Sequence, residues 1–85
     1  MIVIYSKDNC PYCLRAIRLA EEKGFKHTIF KIGDNITQED FLNKFPNART
    51  APQIENIVSE GNEYIGGYTE FEGWVLSKAL GGMTL

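Results

Sequence analysis

The sequence predicts an α/β fold in which a four-stranded mixed sheet is flanked by helices. Three observations support this prediction. The spacing of apolar residues switches repeatedly between the period of a strand and that of a helix. The segments follow the order βαβ, then α, then ββα, which makes the first two strands parallel and the last two a hairpin. The 85 residues, 44% of them hydrophobic, suffice for one small packed domain, residues 1–85.

The first part of the chain is predicted to form the βαβ unit. Ile2 to Tyr5 is a short β-branched run, typical of a strand that is covered on both faces. Apolar residues at helical spacing follow from Pro11 to Lys23, where the proline suits the first turn and Gly24 ends the helix. His27 to Ile32 is a second β-rich run and completes the unit.

The middle of the chain is predicted to form a short helix. Thr37, with Asp40 three residues later, has the pattern of a helix N-cap, and Pro46 ends the helix. The apolar face of this helix is expected to consist of Phe41, Leu42 and Phe45.

The last part is predicted to form a hairpin and a helix. Pro52 to Val58 and Glu63 to Ile65 are the arms of the hairpin around the turn 59–62, and Asn56 interrupts the alternation as a bulge does. Thr69 and Glu72 have the spacing of a capping box for the last helix. This helix carries Phe71, Trp74, Val75 and Leu80 and is expected to stop at Gly81-Gly82.

The composition excludes several classes of function. Nine Lys and Arg against eleven Asp and Glu give a net charge of −2, and the basic residues are scattered, so we expect no nucleic-acid ligand. No apolar run approaches the roughly 20 residues that cross a bilayer, and residues 1–5 lack the pattern of a secretory leader. We therefore expect a cytoplasmic protein without a membrane partner. The absence of a heptad pattern favours a monomer.

The chemistry is expected at the segment Cys10-Pro11-Tyr12-Cys13, in the turn from the first strand into the first helix. Unpaired N–H groups and the dipole at a helix N-terminus stabilise a thiolate, so the pKa of Cys10 should lie below that of a free thiol. Cys10 is then the nucleophile. Cys13 lies on the same helical face and acts as the resolving thiol, while the charge of Lys7 favours the thiolate or meets an anionic substrate.

Two other interpretations of the cysteine pair are weaker. Structural zinc normally takes four ligands, and the sequence offers only His27 as a further soft ligand, so no metal is expected. His27 itself is expected to be exposed or hydrogen-bonded rather than catalytic. An accidental pair is disfavoured because C-x-x-C in a cytosolic chain that begins with a βαβ pattern is a redox signature.

Three segments carry a resemblance to a known family. They are Cys10-Pro11-Tyr12-Cys13, Thr50-Ala51-Pro52-Gln53-Ile54 and Ile65-Gly66-Gly67-Tyr68-Thr69-Glu70-Phe71. Their order and spacing resemble the three motifs of dithiol glutaredoxins, and the chain is similar to a compact bacterial glutaredoxin over nearly its whole length. The resemblance implies a thioredoxin fold, glutathione as the reductant, and protein disulfides or glutathione mixed disulfides as substrates, with no metal.

The resemblance also implies how glutathione is bound. It makes Pro52 a cis proline beside the cysteines and leaves the backbone of Ala51 to pair with the tripeptide as an added strand would. The γ-glutamyl carboxylate would rest on N–H groups at the start of the last helix, and Lys7 and Arg49 would meet the glycyl carboxylate. Glu70 would meet the α-amino group. The implied contacts are Lys7, Tyr12, Arg49, Thr50, Ala51, Pro52, Gly67, Tyr68, Thr69 and Glu70.

Two departures from the family pattern concern the hairpin region. Ala51 stands where the family usually has Val, which keeps the backbone donor and acceptor. The hairpin is longer than in compact glutaredoxins, and Glu55 and Asn56 replace residues that are usually apolar. These changes bear on sheet packing and on the choice of partner.

Three alternative functions remain open at this point. The first is a redoxin that thioredoxin reductase, rather than glutathione, reduces. The second is an iron–sulfur carrier in which Cys10 of two chains and two glutathiones hold a [2Fe–2S] cluster. The third is a binding domain with a fortuitous cysteine pair. Resemblance to bacterial glutaredoxins makes ribonucleotide reductase a candidate client, although no residue encodes that choice.

Overall fold

The structure is a computed structural model that describes residues 1–81, with side chains described as far as Lys78. Its elements are β1 (Ile2–Ser6), α1 (Pro11–Glu22), β2 (His27–Lys31), α2 (Gln38–Lys44), β3 (Gln53–Val58), β4 (Gly61–Gly66) and α3 (Tyr68–Gly81). The four strands form one sheet in the order β2-β1-β3-β4. β1 is parallel to β2 and antiparallel to β3, and β3 is antiparallel to β4. The predicted four-stranded mixed sheet is thus confirmed.

Strand β1 lies at the centre of the sheet and is buried along its whole length. Because successive side chains of a strand point to opposite faces, Ile2 and Ile4 enter one core and Val3 and Tyr5 the other. The first core includes residues of α1 and α3, and the second includes Phe41 of α2. This confirms the prediction of a first strand covered on both faces.

Helix α2 confirms its predicted cap but not all of its predicted face. The Asp40 N–H donates to Thr37 Oγ1 at 3.0 Å. Phe41 is buried and Phe45 packs beside it against the second core. Leu42 is 39% exposed, so its predicted place on that face is wrong. Residues four apart share a helical face, whereas Leu42 is turned by about 100° from Phe41.

The hairpin differs from its prediction in two respects. β4 begins at Gly61, which pairs with Val58, so the turn holds two residues rather than four. Asn56 pairs regularly with Glu63, and the irregularity lies between Ile54 and Glu55. Ile65 is therefore the extra residue on β4, and the predicted bulge at Asn56 is wrong. Gly61 allows the tighter turn because its φ of +122° is unfavourable for other residues.

Helix α3 begins one residue before the predicted cap. Gly67 occupies the cap position, since its carbonyl accepts from the Phe71 N–H at 2.9 Å. Its own N–H donates to Glu70 Oε1 at 2.8 Å. The capping box predicted for Thr69 and Glu72 is therefore wrong, because Thr69 lies within the first turn. Glu72 instead accepts from the Tyr68 hydroxyl at 3.1 Å.

The apolar face predicted for α3 is partly described. Phe71 and Val75 are buried, and Trp74 packs against the same core. The helix extends through Gly81. The side chain of Leu80 and the stop predicted at Gly82 lie outside the described residues.

The acidic residue in the middle of β3 is accommodated by a polar cluster. Glu55 is 3% exposed, and its Oε1 accepts from the Tyr5 hydroxyl at 3.0 Å. Lys44 Nζ lies 3.3 Å from the same oxygen, and Asn62 Nδ2 donates to Oε2 at 3.4 Å. Burial first, and Glu55 second, raise the pKa of Tyr5 well above its usual value, so its hydroxyl stays a donor. The carboxylate is thereby paired and hydrogen-bonded, which a buried charge requires.

Within residues 1–81, no helix is both long enough and apolar enough to cross a membrane.

Candidate active site

The cysteine pair lies where the chain turns from β1 into α1. Asn9 makes this turn with a φ of +55°, a conformation that asparagine tolerates better than most residues. Helix α1 begins at Pro11, as the sequence predicted, and Cys10 is its N-cap. The Cys13 N–H points at Cys10 Sγ at 3.2 Å. The sulfur of Cys10 thus lies on the open N–H groups of the helix.

The two cysteines are bonded to each other as a disulfide, with their Cα atoms 5.2 Å apart. Their accessibility differs, because Cys10 is 7% exposed and Cys13 is 2% exposed. A disulfide is attacked at an accessible sulfur, and a reduced pair attacks from one. Cys10 is thus slightly the more exposed of the two residues, in keeping with the role of nucleophile predicted for it.

The segment before β3 approaches the cysteines from the opposite side. Its Ala51–Pro52 peptide bond is cis, as the family resemblance implied. The Ala51 carbonyl oxygen lies 3.5 Å from Cys10 Sγ. Backbone groups of this segment thus border the reactive sulfur.

A groove of about 290 Å³ runs from this segment to the start of α3; we call it the helix groove. Its aromatic wall consists of Tyr12 and Tyr68, whose ring centroids are 5.9 Å apart. The Arg15 guanidinium lies 5.3 Å from the centroid of the Tyr12 ring. Desolvation first, and the bond to Glu72 second, raise the pKa of Tyr68. The helix groove is lined by Tyr12, Thr50, Ala51, Pro52, Gly67, Tyr68, Thr69 and Glu70.

Two glycines precede α3, and the second of them, Gly67, lines the helix groove. Gly66 has a φ of +126°. A Cβ on Gly67 would lie 3.2 Å from Glu70 Oε1 and 3.6 Å from the Pro52 carbonyl oxygen. A side chain at Gly67 would therefore crowd the Glu70 carboxylate and make only ordinary van der Waals contact with the cis-proline segment. The first N–H groups of a helix have no acceptor within it, and at α3 they border the groove.

A second groove, of about 180 Å³, borders the same cis-proline segment; we call it the basic groove. It contains the two cations that the resemblance implied, Lys7 and Arg49, and it shares Thr50 and Ala51 with the helix groove. The two grooves therefore meet beside Cys10. The basic groove is lined by Lys7, Ile32, Gln38, Phe41, Leu42, Ala48, Arg49, Thr50 and Ala51.

Gln38 is a groove residue that sequence reasoning missed. It is the first residue of α2, directly after the Thr37 cap. Its amide can donate to a carboxylate or accept from an N–H group. The signal that would have found it is the cap itself, since a residue at the start of a helix lies beside open N–H groups.

His27 is bonded to the backbone of its own segment. Its Nδ1 lies 2.8 Å from the Phe25 carbonyl oxygen, so the ring is hydrogen-bonded to the backbone as expected. The described part of the chain contains no group of three or more His, Cys, Asp or Glu side chains that could hold a metal ion.

The chemistry that this site can perform is thiol–disulfide exchange. A cysteine pair that closes into a disulfide at the start of a helix gains or loses two electrons as its bond breaks or forms. The fold and the site together define a thiol-disulfide oxidoreductase of the thioredoxin-fold class.

Comparison with known proteins identifies the family. The family model described as glutaredoxin matches residues 2–56. Glutaredoxin 1 of Escherichia coli K12 is 38% identical over 80 residues, which cover 86% of this chain and 89% of the relative. Glutaredoxin-1 of Bos taurus is 33% identical over 75 residues, or 81% of this chain and 67% of the relative. The chain belongs to the glutaredoxin family.

Solved structures agree with this assignment. The reduced glutaredoxin of E. coli superposes with a TM-score of 0.68 at 37% identity, covering 89% of this chain and 93% of that one. A buckwheat glutaredoxin–glutathione complex superposes with a TM-score of 0.61 at 28% identity, covering 95% and 69%. The expected thioredoxin fold is confirmed. As a glutaredoxin, the protein is a glutathione-dependent disulfide oxidoreductase, and Cys10 and Cys13 are its redox pair.

Proposed function

We propose that glutathione binds across both grooves, with its cysteine sulfur at Cys10. Its γ-glutamyl carboxylate lies on the N–H groups of Tyr68 and Thr69 at the start of α3, and its glycyl carboxylate lies in the basic groove. The backbone of Ala51 pairs with the peptide between them. Glu70 keeps one oxygen on the Gly67 N–H and offers the other to the α-amino group.

The observation that carries this proposal is the shared wall of the two grooves. Both grooves are lined by Thr50 and Ala51, and Ala51 borders Cys10 Sγ. Glutathione carries a negative charge at each end and a sulfur in the middle. Cations lie in one groove and helix N–H groups border the other, so the charge pattern of the grooves matches that of the ligand.

The proposed reaction with a glutathionylated protein has two exchanges. The Cys10 thiolate attacks the sulfur of the bound glutathione, the bond to the protein sulfur breaks, and the protein thiolate leaves and takes a proton from solvent. A second glutathione thiolate then attacks the glutathione sulfur on Cys10. Oxidised glutathione leaves and the Cys10 thiolate is restored, so this route does not need Cys13.

The proposed reaction with a protein disulfide uses both cysteines. Cys10 attacks one substrate sulfur and forms a mixed disulfide, and the other substrate sulfur leaves as a thiolate. Cys13 then attacks Cys10 Sγ, which releases the second substrate thiolate and forms the Cys10–Cys13 disulfide. Two electrons pass to the substrate, and two glutathiones return them to the enzyme.

The partners in the cell are part of the proposal. We place the protein in the cytoplasm as a monomer, and we name ribonucleotide reductase as a client. The basis for naming this client is the resemblance of the segment 66–69 to bacterial glutaredoxins. Gel filtration tests the monomeric state, and reduction of oxidised ribonucleotide reductase by the protein with glutathione tests the client.

The roles of the cysteines are tested by NADPH consumption in an assay coupled through glutathione and glutathione reductase. We expect Cys10→Ser to abolish all exchange. Cys13→Ser should retain reduction of a glutathionylated peptide and lose reduction of a protein disulfide. Equal loss of both reactions in the two variants would contradict these roles. Turnover of the wild type with thioredoxin reductase alone would leave the cysteine roles intact and would contradict the glutathione site.

The ligand site is tested by removing one cation from the basic groove. We expect Arg49→Ala to raise the KM for a glutathionylated peptide by about three- to tenfold, because a charge-assisted hydrogen bond is lost. Added salt should shrink the difference. The matched control is Arg18→Ala, which removes an exposed arginine of α1 that lines neither groove. A similar KM in both variants would exclude this binding mode.

A further inference from the structure

We infer that Gln53 and Tyr64 are positioning residues for the glutathione site, because together they hold the Thr50 carbonyl and so orient the adjoining Ala51 backbone. This inference rests on the proposed function. It assigns a task to two side chains outside the cysteine pair.

The first observation is a relay of two hydrogen bonds. Gln53 is 5% exposed, and its Nε2 donates to the Thr50 carbonyl oxygen at 2.9 Å. The Tyr64 hydroxyl donates to Gln53 Oε1. The order of the relay is dictated by chemistry, because a backbone carbonyl only accepts. The amide must therefore turn its NH₂ group toward Thr50 and its oxygen toward Tyr64.

The second observation concerns the segment that the relay holds. Residues 49–52 are the second half of the connection 45–52 between α2 and β3, and every one of them lines a groove. The turn after α2 ends with the bond from the Ala48 N–H to the Phe45 carbonyl, and the pairing with β1 begins at Gln53. The bond from Gln53 therefore restrains the backbone between these two regular parts, at the residue before Ala51.

The third observation is that Tyr64 is itself anchored. Its ring packs against Phe45 at the end of α2, with the centroids 5.6 Å apart, while the residue as a whole is 59% exposed. Phe45 in turn packs on Tyr5 with the centroids 5.1 Å apart. The relay thus ties the groove wall to β4, α2 and the second core.

The consequence concerns recognition rather than thiol chemistry. The last torsion of a glutamine side chain is broad, so without the Tyr64 hydroxyl the Gln53 amide can rotate away from Thr50. A looser peptide unit at Thr50 and Ala51 must be ordered when glutathione pairs with it, which weakens binding. Loss of the Tyr64 hydroxyl should leave the Cys10 sulfur in its position at the start of α1, where it accepts from the Cys13 N–H.

The test is Tyr64→Phe, made together with Cys13→Ser so that glutathione exchange is the only route. The substitution removes one hydroxyl from a largely exposed residue and keeps the ring against Phe45, so the variant should fold. We expect kcat/KM for a glutathionylated peptide to fall about fivefold through KM, the loss expected of one hydrogen bond. The rate at which iodoacetamide alkylates the Cys10 thiol should stay within twofold of the parent.

The matched control is Tyr5→Phe in the same background. It also removes one tyrosine hydroxyl from the sheet, but that hydroxyl bonds Glu55 and not the relay. The control should lower the melting temperature and leave kcat/KM unchanged. If both variants lower kcat/KM in proportion to their loss of stability, the role of Tyr64 is structural and the inference is overturned.

A second variant checks that the two residues act together. Gln53→Met removes the amide, and adding Tyr64→Phe to it should cost nothing further, because the hydroxyl then has no relay to hold. Fully additive losses would refute the relay.

Arg49→Ala separates the two proposals. If Arg49→Ala raises KM and Tyr64→Phe does not, the relay is refuted and the ligand site stands. If neither variant changes KM, the ligand site fails, and the relay fails with it.

Discussion

Gly66 is predicted to be the residue at which a single methyl group most disturbs the start of α3. It ends β4 with a φ of +126°, a conformation that is costly for any residue with a Cβ. A Cβ placed there would lie 2.8 Å from Glu70 Cβ and 2.9 Å from Glu70 Cγ. Gly66→Ala therefore combines backbone strain with displacement of the side chain that caps the helix.

The magnitude follows from these two effects. The backbone conformation costs about 1–3 kcal/mol for alanine. Moving Glu70 breaks its hydrogen bond with the Gly67 N–H, and loss of such a cap costs about 1 kcal/mol. The sum is a loss of about 2–4 kcal/mol in the free energy of unfolding. In a domain of this size that corresponds to a fall of about 10–25 °C in the melting temperature.

The control is Gly61→Ala at the other end of β4. Gly61 has a similar φ of +122°, but a Cβ there would have no neighbour within 4 Å. Gly61→Ala should incur the backbone cost alone. The free energy of unfolding of Gly66→Ala should therefore be lower than that of Gly61→Ala by about 1 kcal/mol. Urea unfolding of the oxidised proteins, followed by circular dichroism, measures the difference. Equal stability of the two variants would refute the argument from Glu70.

Three further predictions concern the core and α3. Tyr5→Phe should flatten the alkaline part of the stability profile. The raised pKa of Tyr5 adds stability that is complete below about pH 10 and is lost as the pH rises further, so urea midpoints of both proteins at about pH 8 and 11 test it. Lys44→Met should cost about 1–2 kcal/mol, because the buried Glu55 carboxylate loses its cation; an unchanged urea midpoint would argue against the pair. Gly73→Ala should raise the free energy of unfolding by about 0.5–1 kcal/mol, because Gly73 lies within α3 with open space around it, and a lower melting temperature would contradict this.

The order of the helices and strands could be predicted because each one depends on the spacing of apolar residues within a short segment. Ile2 to Tyr5 is apolar at every position, which only a strand buried on both faces requires, and the structure buries all of it. The cysteine pair could be predicted for the same reason, since both residues and the helix that holds them are adjacent in the sequence. A reactive pair that lies within one turn of a helix can therefore be predicted from the sequence alone.

The predictions that were wrong concern features set by a single backbone angle or by residues far apart in the sequence. The cap of α3 lies at Gly67, two residues before the predicted Thr69, because the chain turns at Gly66. The bond between Gln53 and Tyr64 joins residues eleven apart across a hairpin whose register is shifted by the bulge at Ile65. No periodicity encodes such a register, because one inserted residue changes which side chains meet.

The central place of β1 has a consequence for the order in which the chain can fold. β1 pairs with β2 about 25 residues away, but its other edge is covered only by β3, about 50 residues away. A chain that emerges from the ribosome therefore exposes one side of its most apolar strand until residue 58 is available. Until then β1 is an unpaired edge that a second nascent chain can pair with, so the hairpin of β3 and β4 also shields the protein against aggregation during its synthesis.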